Sequence, residues 1–314
     1  MDIVVLGAGM QGTLYGARLA SAGHAVTLIA RGQRAAALRA SGAVIEHALS
    51  GKRQVIQLPV TTELDKQVCA DVCLVTVRRE QLESVLPALA AARGIARVLF
   101  LVNHACGSQF LFDALGRERV VLGFPGAAGG IESGIDRYVE IAEQPTVIEA
   151  AAPDIVTLFE NAGFRVAAVR DMDSWLCRHA VFVTATCGAL YEVGGDAHRL
   201  ASDRAVLRTF IRAVREGWAA FDRLGVAPPP LALRAIFRWV PLPLAVRYWE
   251  RLFASSRGEY YFARHARHAP QEMAALAADV RALVSETQIP HWRRLSAAID
   301  AAAGALGSGS PSGA

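Results

Sequence analysis

The sequence lacks the features that mark several large classes of protein. Its five cysteines are an odd number and form no Cys-x-x-Cys pair, which argues against a disulfide framework and against a zinc site. No apolar run reaches the roughly 18 residues of a membrane span, and no signal peptide precedes the first predicted strand. No block of Lys and Arg with interleaved aromatic residues favours nucleic-acid binding. We therefore expect a soluble, cytoplasmic protein that holds no metal and binds neither nucleic acid nor membrane.

The composition is that of a folded protein with two ordinary domains. The chain has 314 residues, of which 53% are hydrophobic and 20% charged, and its formal net charge is +4. This length and apolar content suffice for a sizeable buried core. A modest excess of Arg suits ligands that carry phosphates or carboxylates.

Short apolar runs alternate with amphipathic segments in the first half of the chain. Such alternation is typical of βαβ units, in which helices cover both faces of a parallel sheet. It predicts helices over residues 10–22 and 79–92. The predicted strands cover residues 2–6, 25–29, 54–60, 72–77, 97–102 and 120–123. Two further β-like runs, 137–142 and 146–149, predict an antiparallel extension near the sheet edge.

Strand-like runs disappear after about Asp171, and an all-helical domain is predicted there. The long segments rich in Ala, Leu and Arg cover residues 174–191, 196–224 and 270–287. Proline-containing breaks lie at residues 227–230 and 241–243. The predicted division of the chain is residues 1–170, residues 171–303 and a flexible Gly/Ser-rich tail over residues 304–314.

A GxGxxG motif, Gly7-Ala-Gly9-Met10-Gln11-Gly12, joins the first predicted strand to the first predicted helix. In this context Gly7 permits the tight turn, Gly9 lets the backbone approach a pyrophosphate, and Gly12 lets the helix pack closely on the strand. The helix N-terminus adds N–H donors and partial positive charge. The motif predicts a Rossmann domain that binds a dinucleotide through this turn, including Met10 and Gln11.

No carboxylate follows the second predicted strand, where an NAD enzyme holds the adenosine ribose. The sequence there reads Ala30-Arg31-Gly32-Gln33-Arg34, so Arg31 or Arg34 could pair with a 2′-phosphate. Arg78 adds a cation after the fourth strand, at the edge of the sheet where ligands gather. The alternative is that these arginines are solvated residues at helix starts. The coincidence with the missing acid favours NADP(H) as the cofactor.

With these features the chain resembles the ketopantoate reductase (2-dehydropantoate 2-reductase) family. The resemblance rests on the GAGMQG turn, Arg31, Val75-Thr-Val-Arg78 with Gln81, and Leu101-Val-Asn103-His-Ala-Cys-Gly107. It implies an α/β Rossmann domain followed by an all-α catalytic domain of the 6-phosphogluconate-dehydrogenase-like helical type. By the same resemblance Arg78, in place of a family Lys, and Gln81 contact the cofactor. Asn103 would lie beside the nicotinamide and the substrate.

The helical domain departs from the family pattern at its catalytic positions. Trp175 matches, but the positions of the family's catalytic Lys and two Asn hold Cys177, Val181 and Ala185. A neutral thiol cannot replace an ammonium that protonates a keto oxygen and stabilises its developing charge. His179 could take part instead if the helix is rotated or locally irregular.

Nearer the C-terminus, Glu272 and the later Gln288-Ile-Pro290 resemble the family's Glu-containing helix and its following Pro. By that resemblance Glu272 binds the substrate hydroxyl. His265, His268 and Glu272 lie at spacings of three and four, so they share one face if the segment is helical. An acid–base pair, a metal site and a solvated helix face all remain open there. The predicted catalytic residues are Asn103, Glu272 and His179.

Three functions follow from these patterns. The first is an NADP(H)-dependent oxidoreductase that moves a hydride between nicotinamide and the carbonyl or secondary alcohol carbon of a small keto or hydroxy substrate. We expect this substrate to bind in the interdomain cleft and to be bulkier or more apolar than ketopantoate. The second is authentic 2-dehydropantoate 2-reductase activity, with Arg178 or His179 compensating for the missing Lys. The third is an NADP(H)-binding sensor or scaffold without turnover. Trp239, Tyr248 and Trp249 could form a homodimer interface or belong to the core.

Overall fold

The computed structural model describes residues 1–105, 107–141, 143–228, 231–284 and 289–307, and its contacts divide the chain into two units. The first unit comprises Met1–Asn103 and Ser108–Met172, and the second comprises His104–Gly107 and Asp173–Ala314. Each unit has its own core of buried apolar side chains. The parts of the sequence predictions that fall on Cys106, Ala142, Pro229, Pro230, residues 285–288 and residues 308–314 lie outside the described residues.

All the described strands belong to the first unit. They are β1 (Asp2–Leu6), β2 (Ala25–Ile29), β3 (Ala43–His47), β4 (Arg53–Ile56), β5 (Val60–Thr61), β6 (Ala70–Val75), β7 (Ile95–Leu101), β8 (Val120–Phe124), β9 (Ala127–Glu132), β10 (Ile135–Glu140), β11 (Thr146–Glu149) and β12 (Val166–Val169). An eight-stranded sheet has the order β12-β11-β8-β7-β6-β1-β2-β5, and every neighbouring pair in it is parallel except β8 with β11. A smaller sheet has the order β4-β3-β10-β9. This is the predicted Rossmann-type α/β architecture.

The helices of the first unit connect and flank these strands. They are α1 (Met10–Ser21), α2 (Gly32–Ser41), α3 (Leu82–Ala91), α4 (Gln109–Leu115) and α5 (Pro153–Asn161), and a 3₁₀ turn over Arg79–Gln81 precedes α3. Central strands such as β6 and β7 are buried along most of their length, as expected for a sheet covered on both faces. Gly16 of α1 lies so close to β2 that a Cβ there would meet Leu28 at 2.9 Å. Close packing therefore holds α1 against the strands that flank the nucleotide-type turn.

Strand prediction was accurate in the centre of the large sheet and poor at its margins. The predicted strand over residues 54–60 is two strands, β4 and β5, which belong to different sheets. The predicted edge extension is right for β11, which runs antiparallel to β8. It is wrong for the run over residues 137–142, because β10 pairs with β3 and β9 in the smaller sheet. Strands β3, β9 and β12 were not predicted.

The second unit is helical, as predicted. Its α-helices are α6 (Met172–Glu192), α7 (Ala197–Ser202), α8 (Arg204–Arg223), α9 (Leu231–Arg234), α10 (Leu242–Phe253), α11 (Ser256–Gly258), α12 (Arg264–His268), α13 (Pro270–Leu283) and α14 (Pro290–Gly307). Two π-helical segments, Ala235–Trp239 and Glu259–Ala263, lie between them. The predicted helix over residues 196–224 is interrupted at Asp203, whose side chain caps α8 by accepting the N–H groups of Ala205 and Val206. Helix α14 continues to Gly307, so the predicted tail begins too early.

The aromatic residues considered for a homodimer interface divide between core and surface. Trp249 is 2% exposed and packs in the core of the second unit, whereas Trp239 and Tyr248 are 56% and 42% exposed. A homodimer stays a prediction. Within the described residues, no helix combines the length and the apolar character needed to cross a membrane.

Candidate functional site

The turn between β1 and α1 needs glycine at two positions for structural reasons. Gly7 has φ +108°, and a Cβ there would lie 2.9 Å from the carbonyl carbon of Thr76. A Cβ on Gly12 would overlap the carbonyl oxygen of Gly7. Thr76 Oγ1 donates a 2.6 Å hydrogen bond to that same oxygen, which ties the turn to the end of β6. Gly7 and Gly12 therefore serve the tight turn and the close packing of α1.

Gly9 differs, because nothing in the fold requires it. It has ordinary extended dihedrals, φ −71° and ψ −172°, and a Cβ there would meet no atom within 4 Å. Helix α1 begins at the next residue, and no acidic residue stands in its first turn. The space over Gly9, bordered by N–H groups at a helix N-terminus, fits the phosphates of a dinucleotide.

The two middle residues of the motif differ in their surroundings. Met10 is 8% exposed. The side chain of Gln11 donates from Nε2 to the carbonyl oxygen of Ala127, at the start of β9. Gln11 Oε1 is buried and has no hydrogen-bond partner among the described residues. The Gln11 side chain thus links the turn to the smaller sheet and keeps one buried acceptor available.

The two arginines after β2 have different surroundings. Arg31 is exposed and occupies the N-cap position of α2 with extended dihedrals, and its side chain makes no hydrogen bond or ion pair within the described residues. Arg34 instead donates from Nε to the carbonyl oxygen of Ala8 (2.8 Å) and from Nη2 to Thr13 and to Asp136. Arg34 is therefore committed to contacts inside the first unit, and only Arg31 is available to a ligand phosphate.

Asp136, the carboxylate that Arg34 meets, is fully buried on β10. Burial raises its pKa to about 6, although the neighbouring guanidinium of Arg34 acts in the opposite direction. No sequence pattern pointed to Asp136. Arg34 was a candidate for the nucleotide site because it follows the second predicted strand, but nothing local indicated that its partner lies 102 residues away.

Two further predicted cofactor ligands follow β6. Arg78 is exposed, and its backbone N–H donates to Gln81 Oε1 at 3.2 Å. The next residue, Arg79, is buried and pairs with Glu83 at 2.7 Å. Arg78 therefore presents its guanidinium outward at the carboxyl end of β6, while Gln81 stabilises the turn that positions it.

Asn103 follows β7 and is the last residue of the first unit before the short excursion 104–107. Its side chain is 8% exposed, and its Oδ1 has no hydrogen-bond partner among the described residues. A buried amide oxygen without a partner is unfavourable unless a ligand or water supplies a donor. This supports a binding role for Asn103.

In the second unit, Ala105 contacts side chains of the helices. The Ala105 N–H donates to Asp279 Oδ2 at 3.3 Å, and Cys177 Sγ donates to the Ala105 carbonyl oxygen at 3.5 Å. Asp279 and Cys177 are each 8% exposed. The residue at the family's Lys position thus holds a backbone segment in place through a weak donor.

His179 stacks on Trp175, with ring centroids 5.0 Å apart and an interplanar angle of 7°. Burial chiefly, and the charge of the nearby His265 secondarily, lower the pKa of His179 to about 3. The imidazole is therefore neutral at physiological pH, which argues against His179 as an imidazolium proton donor.

The His265, His268 and Glu272 set is not one helical face. Helix α12 ends at His268, Ala269 has non-helical dihedrals of φ −134° and ψ 40°, and α13 begins at Pro270. His268 is exposed and its Nδ1 contacts the carbonyl oxygen of Arg264. Pro270 has no N–H to continue the hydrogen-bond pattern of α12, so the spacing of three and four does not place these side chains on one face. Among the described residues, no group of three or more His, Cys, Asp or Glu side chains could hold a metal ion.

Glu272 lies in the first turn of α13 and is half-buried. Burial chiefly, and the charge of Glu272 secondarily, raise the pKa of Cys187. Burial is also the first cause that raises the pKa of Tyr191, followed by Cys187 and Glu272. The Tyr191 hydroxyl donates to the Ala266 carbonyl oxygen at 2.6 Å. Helices α6 and α13 therefore bring Glu272 near Cys187 and Tyr191, two neighbours that the sequence did not indicate.

The geometry of the turn and of the residues after β2, β6 and β7 agrees with the result of a family comparison. Residues 3–144 match the family model for ketopantoate reductase PanE/ApbA. This part of the chain is a domain of that family.

Solved structures extend the likeness to the whole chain at the level of the fold. A PanE/ApbA family ketopantoate reductase from Ralstonia eutropha JMP134 is 21% identical, with a TM-score of 0.76 over 98% of this chain and 100% of its own. A 2-dehydropantoate 2-reductase from Geobacter metallireducens GS-15 is 15% identical, with a TM-score of 0.76 over 96% and 100%. D-mandelate dehydrogenase with NADH and anilino(oxo)acetate is 16% identical, with a TM-score of 0.76 over 98% and 99%.

The three positions that resemble the ketopantoate reductase catalytic set lie in an apolar environment. Val181 is fully buried, and a Cβ on Gly217 of α8 would overlap its Cγ1. Ala185 is 1% exposed, and Cys177 belongs to the same apolar cluster. Val181 therefore packs directly on α8, and these three positions lie in the buried apolar cluster of the second unit.

Arg178 cannot stand in for the missing ketopantoate reductase Lys. It is 1% exposed and donates to the carbonyl oxygens of Trp218, Val226 and Ala227 and to Asp222 at 2.7 Å. These bonds use its guanidinium to fasten the chain after α8. The compensation by Arg178 considered from the sequence is wrong.

Proposed function

We propose that the protein is an NADP(H)-dependent oxidoreductase acting on a small keto or hydroxy compound. The observation that carries the proposal is the pairing of an open Gly9 turn with an exposed Arg31 after β2, where no carboxylate stands. A carboxylate there would accept from a ribose 2′-hydroxyl, whereas a guanidinium pairs with a 2′-phosphate. The D-mandelate dehydrogenase neighbour was solved with NADH, which supports a nicotinamide cofactor of one form or the other.

The residues that would hold the cofactor belong to the first unit. The backbone of the Gly7–Gly12 turn, including Met10 and Gln11, would bind the pyrophosphate. The Arg31 side chain would bind the 2′-phosphate. Arg78, steadied by Gln81, would add a second cation. When bound, the cofactor supplies or accepts a hydride at a carbonyl or secondary alcohol carbon.

For the substrate, we propose that Asn103 is a polar group that touches it, and Glu272 stays a residue that the family resemblance predicts to bind a hydroxyl. The buried, unpartnered Oδ1 of Asn103 can accept a hydroxyl hydrogen, and its amide can donate to a carbonyl oxygen. His179 is neutral and stacked on Trp175, so it would shape the site as a donor of a neutral N–H or as an apolar wall. The apolar surroundings of Val181 and Ala185 favour a bulkier, less polar substrate than ketopantoate.

A second candidate, cofactor binding without turnover, is favoured by one observation. Cys177, Val181 and Ala185, which the resemblance matches to the family's Lys and two Asn, are buried in the apolar cluster of the second unit. An oxidoreductase of this fold needs a group that supplies the proton to the reduced carbonyl oxygen. A sensor or scaffold does not.

Titration of the purified protein with NADPH and separately with NADH, followed by nicotinamide fluorescence, tests the proposal. We expect NADPH to bind at least tenfold more tightly than NADH. A subsequent screen of 2-keto acids with apolar side chains, monitored by NADPH oxidation, separates the two candidates. Turnover supports the oxidoreductase, tight binding with no turnover supports the sensor, and binding of neither cofactor overturns both.

A further inference from the structure

A cavity of about 180 Å³ lies wholly within the second unit, between α6, α8 and the π-helical segment Ala235–Trp239. Its aromatic wall consists of Trp218 and Phe237, whose rings meet edge to face with centroids 5.2 Å apart. The charged residues that line it are Arg178, Arg215, Arg234, Arg238 and Asp222. Four guanidinium groups against one carboxylate leave the lining strongly cationic. The nucleotide-type turn belongs to the other unit.

Asp222 is already shared by two of these arginines. Its Oδ1 accepts from Arg178 at 2.7 Å and its Oδ2 from Arg238 at 2.9 Å. Both carboxylate oxygens are therefore occupied, and Asp222 has little capacity left to balance the other two cations. The charge of Arg234 also lowers the pKa of the buried Arg178, after burial itself as the first cause. Crowded cations of this kind are relieved by an added anion.

The remaining two arginines are arranged differently from each other. Arg215 donates from Nε to the Phe237 carbonyl oxygen and from Nη2 to that of Val240 at 2.7 Å, so it fastens the π-helical segment. Arg234 lies over the ring of Trp239 at 5.5 Å and makes no hydrogen bond to any described residue. A half-buried guanidinium held over an aromatic face is oriented but keeps its donors for a partner.

We propose that this cavity binds a small organic carboxylate, with the anionic group on Arg234 and Arg238 and an apolar body against Trp218 and Phe237. Guanidinium groups match the planar geometry of a carboxylate with two donors. The volume is below the roughly 300–1,000 Å³ of drug-sized ligand sites, so a nucleotide is too large. The aromatic wall favours an aryl or branched alkyl acid over an inorganic anion. The proposal does not rest on nicotinamide binding and concerns a separate ligand.

Benzoate is the probe, and binding is measured by isothermal titration with the full chain in the absence of added nucleotide. We expect Arg234→Gln and Arg238→Gln each to weaken the binding of benzoate at least tenfold. Arg208→Gln, which removes an exposed cation from α8 outside the cavity lining, should change it less than twofold. Circular dichroism of each variant checks that the helical unit is folded. Because two cavity variants are made, the test still works if one of them does not fold.

Three results would overturn the proposal. They are no benzoate binding at 10 mM, equal binding by wild type and both cavity variants, or an equal loss with Arg208→Gln. Inorganic phosphate is titrated in parallel to test the apolar part of the ligand. Phosphate binding as tightly as benzoate would contradict the carboxylate with an apolar body, whereas weaker phosphate supports it.

Discussion

Arg34 Nη2 donates to both carboxylate oxygens of Asp136, at 2.8 and 2.7 Å, while Arg34 Nε donates to the carbonyl oxygen of Ala8 between the first two glycines of the motif. The carboxylate is fully buried and the guanidinium is 19% exposed. The pair therefore joins the nucleotide-type turn to β10 of the smaller sheet. Arg34 and Asp136 are positioning residues for the turn rather than ligands.

Arg34→Gln should destabilise the first unit, because it leaves Asp136 as a buried carboxylate without its cation. We expect a loss of about 3 kcal/mol in the free energy of unfolding at pH 7.5, measured by urea denaturation. Adding Asp136→Asn should recover part of that loss, since the unpaired charge is then gone. Arg39→Gln, on the exposed face of the same helix, is the control and should change stability by less than 1 kcal/mol. Equal losses in both single variants would contradict a specific role for the pair.

The stability of the wild type relative to Asp136→Asn should fall as the pH rises from 4 to 6. The pKa of Asp136 is raised from 3.8 to about 6 in the folded state, so in this window the folded protein binds more protons than the unfolded one. Its contribution is thus greatest below pH 4 and is lost as the pH rises through 6, by on the order of 2 kcal/mol. Urea melts of both proteins at each pH measure the difference. A difference that rises with pH would mean a lowered pKa instead.

Gly9→Ala and Gly12→Ala should separate binding from folding. A methyl group on Gly9 meets no atom within 4 Å, so the melting temperature should be unchanged while NADPH binding weakens at least tenfold. A methyl group on Gly12 overlaps the Gly7 carbonyl oxygen, so this variant should lose several kcal/mol of stability. Thermal melts and NADPH titrations read the two effects. Unimpaired NADPH binding by Gly9→Ala would place the phosphates elsewhere.

Arg31→Gln should reduce the preference for NADPH. Removing a guanidinium that pairs with the 2′-phosphate should weaken NADPH binding by roughly 10- to 100-fold and change the affinity for NADH by no more than about twofold. Fluorescence titration with each cofactor measures both affinities, with Arg39→Gln as the matched control on α2. If the binding of NADPH and NADH weakens equally, Arg31 contacts a part of the cofactor that both molecules share.

His179 should stay neutral between pH 5 and 8. Burial and the neighbouring His265 bring its pKa to about 3, so its ring nitrogen chemical shifts should not titrate in that range by NMR of labelled protein. The pH profile of any NADPH-dependent turnover should likewise contain no ionisation between pH 5 and 8 that disappears in His179→Gln. A His179 titration near pH 6.5 would restore it as a candidate acid.

The sequence determined the architecture wherever the signal was local. The apolar runs of β1, β2 and β6, the glycine spacing at Gly7–Gly12 and the loss of strand patterns after Asp171 depend on neighbouring residues along the chain, so each could be read directly. The resemblance to ketopantoate reductase followed from the same local motifs and agrees with the family match over residues 3–144.

Only the tertiary structure decided which charged residues are available. Arg31 and Arg34 look equivalent in sequence, yet Arg34 is paired with Asp136 from a strand of another sheet. Arg178 and His179 both neighbour the missing Lys position, and long-range packing buries one in hydrogen bonds and holds the other neutral. Pairing, burial and pKa depend on contacts between distant segments, which local patterns do not encode.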